Sequence, residues 1–97
     1  MDSYKFMIAC KNMIIDYFTR HKDTTDKEIK MKIEDVFVVW SCKALQNNKT
    51  LLSTRFPDGL YYEITYNGDK HEAYVDVYKK WENFVVKEED FKTEVAE

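Results

Sequence analysis

The chain has 97 residues, enough for one domain and too few for two; a chain of this size buries roughly 60–70% of the surface its unfolded form exposes, which leaves little room for a deep internal pocket. A composition of 44% hydrophobic and 34% charged residues excludes a disordered polar chain. The net charge of −3 is matched by residues 87–97 alone, where Glu88, Glu89, Asp90, Glu94 and Glu97 oppose Lys87 and Lys92, and the neutral body lacks the basic footprint of a general phosphate-binding protein.

Residues 3–21 read as a helix. Met7, Cys10, Ile14, Tyr17 and Phe18 recur on one face, widened by Phe6, Ile8, Met13 and Ile15, with Lys5, Asn12, Asp16, Thr19 and Arg20 opposite. Ser3 or Asp2 supplies the N-cap. Lys11 falls inside the apolar arc, between Ile8 and Ile15. Its stem can pack while its head reaches water, or it can mark a binding spot on an exposed flank.

Residues 22–27 are polar and predict a loop. Ile29, Met31 and Ile33 alternate with Lys30, Lys32 and Glu34 and predict a short edge strand. The β-branched and aromatic run Val36-Phe37-Val38-Val39-Trp40 predicts a central strand, with a helix competing because Ala44, Leu45 and Gln46 are good helix formers. Asn47-Asn48 predicts a two-residue hairpin turn, and residues 50–56 return as a strand. Pro57-Asp58-Gly59 is a turn. Residues 60–66 and 71–78 form the last hairpin around Asn67-Gly68. Its apolar face is Leu60, Tyr62, Ile64, Tyr66, Ala73, Val75 and Val77; the other carries Tyr61, Glu63, Thr65, Lys70, Glu72, Tyr74 and Asp76. A two-residue turn would oppose Glu63 and Glu72, a destabilising pair, so a four-residue loop is favoured, with the pairs shifted by two. Residues 79–86, with Trp81, Phe84, Val85 and Val86, read as a bent strand or a helical turn closing the core.

The expected fold is α+β: one N-terminal helix on an antiparallel β-meander of about four strands. The order resembles a cystatin-like roll. Residues 1–86 form the domain, and 87–97 an acidic tail expected to be mobile.

No catalytic or metal-binding pattern is found. Cys10 and Cys42 lack metal-ligand spacing, and no histidine pair sits at helical spacing. Cys10 and His21 lie about three helical turns apart; Cys42 with His71 has no supporting signature. Cysteines in such settings act as small hydrophobes. No Gly-rich phosphate loop can form, since Gly59 and Gly68, the only glycines, are both used in turns, and no cofactor is expected. The first twenty residues do not read as a signal peptide, and two free cysteines suit a reducing cytosol.

Tyr61, Tyr74 and Tyr78, with Trp81, are either core or a solvent-side patch rimmed by Glu63, Glu72, Asp76 and Glu82. Aromatic rings in an acidic rim suit a protein interface better than nucleic acid, whose platforms sit in a basic field. The candidate protein-binding residues are therefore Tyr61, Glu63, Glu72, Tyr74, Asp76, Tyr78 and Trp81, with Lys11.

Residues 11–17, Asp35-Val36-Phe37-Val38-Val39-Trp40, Cys42-Lys43, Leu45-Gln46-Asn47-Asn48-Lys49, Leu51-Leu52-Ser53-Thr54 and Tyr78-Lys79-Lys80 carry a resemblance. So do Glu82-Asn83 and the long motif from Pro57-Asp58-Gly59-Leu60-Tyr61-Tyr62 through Thr65-Tyr66-Asn67-Gly68-Asp69-Lys70. Over residues 11–86 the chain resembles a family of small uncharacterised proteins of tailed phages and prophages of Gram-positive bacteria. The resemblance implies a nonstructural accessory protein in the cytoplasm of an infected bacterium, with no catalytic residues to transfer.

The expected function is non-enzymatic binding to a host protein, for host takeover or anti-defence, such as inhibition of a CRISPR effector or another nuclease. The alternatives are a self-assembling homodimer, pairing through residues 27–32 or the Val86 edge, and a small metabolite-binding roll. The latter would hold its pocket between helix and sheet near Cys10, Cys42 and Trp40. No membrane association is expected.

Overall fold

A computed structural model describes residues 2–22 and 29–95. The polar loop expected at 22–27 falls almost wholly outside them. One helix, α1 (Ser3–His21), precedes four strands: β1 (Val36–Ala44), β2 (Asn47–Thr54), β3 (Leu60–Asn67) and β4 (Glu72–Lys79). The strands form one antiparallel sheet in the order β1-β2-β3-β4. The fold is α+β, as expected, and no helix among the described residues is long and apolar enough to cross a membrane.

Helix α1 starts where Asp2 accepts a hydrogen bond from the Lys5 backbone N at 2.8 Å, satisfying one of the unpaired amides of the first turn. It ends with Arg20 and His21 in the last turn, on the negative end of the helix dipole. The Lys22 N–H closes on the Phe18 carbonyl at 2.9 Å. Phe6, Cys10 and Ile14, spaced by four, are the buried stripe.

That stripe meets one face of the sheet. Leu52, Tyr62 and Ile64 are fully buried there, with Met31 and Val36. Phe6 packs on Tyr66 at a ring distance of 5.8 Å and Tyr17 stands edge-on to Tyr62 at 5.8 Å. Phe18 stacks on Phe56 at 5.1 Å. The helix therefore lies across the sheet, its rings on β3 and on Phe56, with Val36 and Val38 of β1 and Val77 of β4 also packed into or against the core.

Register sorts the side chains. Val38, Leu52, Tyr62 and Val77 lie in one row across the four strands and face the helix. The register of β1 shifts between Val38 and Trp40: a β-bulge adds one residue, Val39. Regular alternation would put Val38 and Trp40 on the same face; the bulge sends Trp40 to the other. The hydroxyl of buried Thr50 donates to the Trp40 carbonyl oxygen at 3.0 Å, tying the bulge to β2.

Several expectations are corrected. Residues 29–34 form no strand: Met31 turns into the core and Ile33–Asp35 is a 3-10 turn. Asp35 holds that turn, accepting from the Lys32 N–H at 2.8 Å and pairing with Arg55 at 2.6 Å, while the Arg55 N–H donates to the Asp35 carbonyl at 3.0 Å. Residues 36–44 are a strand, not a helix, but an edge strand rather than a central one. The β1–β2 turn is Leu45-Gln46, not Asn47-Asn48. Leu45 takes the positive φ of 56° at 91% exposure. Asn47 instead accepts from the Gly68 N–H at 3.3 Å, joining the two hairpin ends.

The β3–β4 loop has four residues, as favoured, but the pairing begins at Asn67 and Glu72. The shift from the two-residue register is thus four, not two, and Glu63 meets Asp76 instead of Glu72. His71 sits in the loop at φ 54° and not in the strand. Residues 80–86 neither continue the sheet nor close the core: they are exposed and without regular structure.

The backbone hydrogen bond from Lys32 and the Arg55 charge hold the Asp35 carboxyl below its usual range, against the effect of its burial. A depressed folded-state value adds stability that is complete above the ordinary carboxylate pKa of about 4 and is lost as pH falls through the folded value. Asp35→Asn is expected to lower the melting temperature at pH 7, with the difference from the parent shrinking as pH falls through the lowered value of the folded carboxyl; a pH-independent difference would contradict this role. Tyr62 is fully buried and its hydroxyl has no hydrogen-bond partner among the described residues. Tyr62→Phe is expected to raise unfolding stability by about 1 kcal/mol, since a buried unpaired polar group is destabilising. Urea denaturation reads this, and a comparable loss would show that the hydroxyl is satisfied.

Candidate protein-binding face

One helix covers one face of the sheet; among the described residues no element covers the other. Read across the strands, the outer face is Phe37, Ser53, Tyr61, Tyr78; then Trp40, Leu51, Glu63, Asp76; then Cys42, Lys49, Thr65, Tyr74. Trp40 is 42% and Tyr78 51% exposed, with Phe37 and Tyr74 between them. In a small domain a contiguous patch of this many rings marks an interaction site more often than a bare surface.

The face is also acidic on its β3–β4 side. Glu63 lies opposite Asp76, and like charges in direct register destabilise a sheet. Lys49 of β2 relieves this in part, with Nζ 3.5 Å from Glu63 Oε1. The Tyr78 hydroxyl donates to the same oxygen at 3.5 Å, and the Tyr74 hydroxyl donates to Glu72. The negative charge of Glu63 is the main cause holding the Tyr78 phenol above its usual range, and the bond to Glu72 does the same for Tyr74. Both phenols are thus held as neutral donors beside carboxylates.

Six of the eight predicted residues, Tyr61, Glu63, Glu72, Tyr74, Asp76 and Tyr78, come together on this face. Trp81 lies beyond the end of β4, 97% exposed. Lys11 sits half-buried on α1, on the opposite side of the sheet. Sequence reasoning missed the β1–β2 half, Phe37, Trp40, Cys42, Lys49 and Leu51. Alternation of Phe37 against Val38 carried part of the signal, but the bulge that turns Trp40 outward has no marker in the residues.

An open depression of about 440 Å³ lies on the same face, lined by Trp40, Cys42, Ala44, Lys49 and Thr65 among others. The pocket expected between helix and sheet near Cys10, Cys42 and Trp40 does not form. Cys10 is buried under the helix, while Cys42 and Trp40 face out on the far side of the sheet. Burial pushes the Cys10 thiol up to about 12, far from the thiolate character a nucleophile needs. Cys42 on β1 and His71 in the β3–β4 loop are separated by two intervening strands, on the order of 14 Å at ordinary strand spacing. Among the described residues no group of three or more His, Cys, Asp or Glu side chains is placed to hold a metal ion.

No curated protein and no solved structure matches the chain. A family model does, described as a family of unknown function (DUF6275), over residues 7–88. That stretch contains α1 from Met7 onward, all four strands and residues 80–86, and the chain belongs to this family.

Proposed function

We propose that the chain is a phage-encoded, non-enzymatic accessory protein that binds a host protein through the outer sheet face, in the cytoplasm of the infected bacterium. The uncovered face carries the reading: aromatic rings from all but β2, an apolar centre at Trp40 and Leu51, and a carboxylate rim at Glu63, Glu72 and Asp76. Rings and apolar side chains supply the desolvated centre of an interface, and the rim selects orientation. The partner surface that fits is apolar at its centre and bordered by Lys or Arg. Nucleic-acid-handling host proteins, CRISPR effectors and other nucleases among them, carry such basic borders, which connects the face to anti-defence. Direct binding of nucleic acid fits poorly, because the rings stand among carboxylates. The phage setting rests on the resemblance carried by the motifs in residues 11–86.

The test is capture from host lysate by the tagged chain, compared with Trp40→Ser and Asp76→Lys. A dominant partner is expected with the parent chain. Losing a central Trp is expected to weaken retention by about 2 kcal/mol, some 30-fold. Asp76→Lys is expected to weaken capture while stabilising the fold by about 0.2–1 kcal/mol, because it replaces a like-charge pair with an attractive one. Parent-level capture by both folded variants would exclude this face.

A further inference from the structure

Residues 80–86 form an arm rich in large apolar side chains, with nothing among the described residues to cover it. Trp81 is 97% and Phe84 75% exposed, and Val85 and Val86 are exposed as well. The segment lies inside the family match, which ends at residue 88. Its departure is fixed: the Lys80 N–H donates to the Gly59 carbonyl at 2.8 Å, one step past the Leu60–Lys79 pair. The arm therefore leaves along the line of β4. Folding back onto β4 would need a reversal at Lys80-Trp81, where the residues offer neither Gly nor Pro and the chain makes no turn.

The same chain offers a receiving surface. β4 is a free edge of the sheet, a row of backbone groups open to another strand. Both margins of that edge carry apolar or aromatic side chains beside charged ones. On the helix side, Val75 and Val77 border a groove of about 350 Å³ with Met13 and Tyr17, and Asp16 and Arg20 at its rim; on the outer side Tyr74 and Tyr78 flank Asp76. An extended arm places Trp81 and Val85 on one face and Phe84 and Val86 on the other, so each face of the arm has valines or tyrosines of the edge to meet.

We infer that the arm of one copy pairs as a fifth strand with the β4 edge of a second copy, and reciprocally, to form a twofold dimer. The area suffices. Trp81 and Phe84 together present roughly 300–400 Å², as such rings bury 150–250 Å² each. With an equal area on the receiving side and two such contacts, the dimer buries about 1,200–1,600 Å², within the range of stable interfaces. The arm covers only the β4 margin and leaves Phe37, Trp40 and Leu51 open, so the inference stands independently of the host-protein reading.

Light scattering after size exclusion, over about 5–200 µM, is the test. The parent chain is expected at twice its 11.7 kDa. Trp81→Ala/Phe84→Ala and, separately, Val85→Pro are expected at monomer mass with unchanged far-UV circular dichroism, since all three positions are exposed. Proline removes the amide a paired strand donates. Amide exchange in residues 72–79 is expected to slow as parent concentration rises and not in the variants. A parent monomer at the highest concentration, or a dimer that survives Trp81→Ala/Phe84→Ala, overturns the inference. A dimer that survives Val85→Pro alone overturns the strand pairing.

Discussion

The buried stripe of α1, Phe6, Cys10 and Ile14, against Leu52, Tyr62 and Ile64 is the contact on which the rest of the structure depends. A single 19-residue helix has one apolar stripe to offer, and a four-stranded sheet has two faces. Burying one face on the helix supplies the hydrophobic stabilisation of the domain and leaves the other face to water. The openness of the outer face thus follows from there being one α-helix among the described residues, not from a local accident.

What the outer face presents is then set by β1. With regular alternation Trp40 would point to the helix side, into the row of buried Thr50. The bulge at Val39 turns it outward beside Leu51, and Thr50 ties the bulge down through the Trp40 carbonyl. On the β3–β4 side, Glu63 and Asp76 stand in direct opposition with Lys49 as the nearby cation. Such an arrangement is unfavourable for an isolated sheet and becomes favourable when a cationic surface arrives. Apolar rings and a carboxylate rim thus share one face, which is the combination the proposed partner with a basic border requires.

Much of this was legible in the residues. The helical period of residues 3–21 and the two-residue period of 60–66 and 72–78 identify the helix, the last hairpin and its two faces, because burial on one side imposes those periods directly. Six of the eight candidate residues follow from that alternation alone. The misreadings arise where tertiary contacts override local pattern. Ile29, Met31 and Ile33 alternate like a strand, but the Asp35 contacts with Lys32 and Arg55 take the backbone into a turn. Asn47-Asn48 carries turn chemistry, yet Asn47 is used to join two hairpin ends, and Leu45 accepts the positive φ. The apolar run at 81–86 reads as core because large apolar side chains usually are, yet the structure leaves it exposed.

The central claim is that the outer sheet face is solvent-exposed in the free protein and covered by a partner. Hydroxyl-radical footprinting of the isolated chain and of the captured complex measures both states at side-chain level. Oxidation of Phe37 and Trp40 in the isolated chain and their protection in the complex, with Phe6 and Tyr62 silent in both, is the predicted result. Unaltered labelling of Phe37 and Trp40 in a complex that protects some other surface would contradict it.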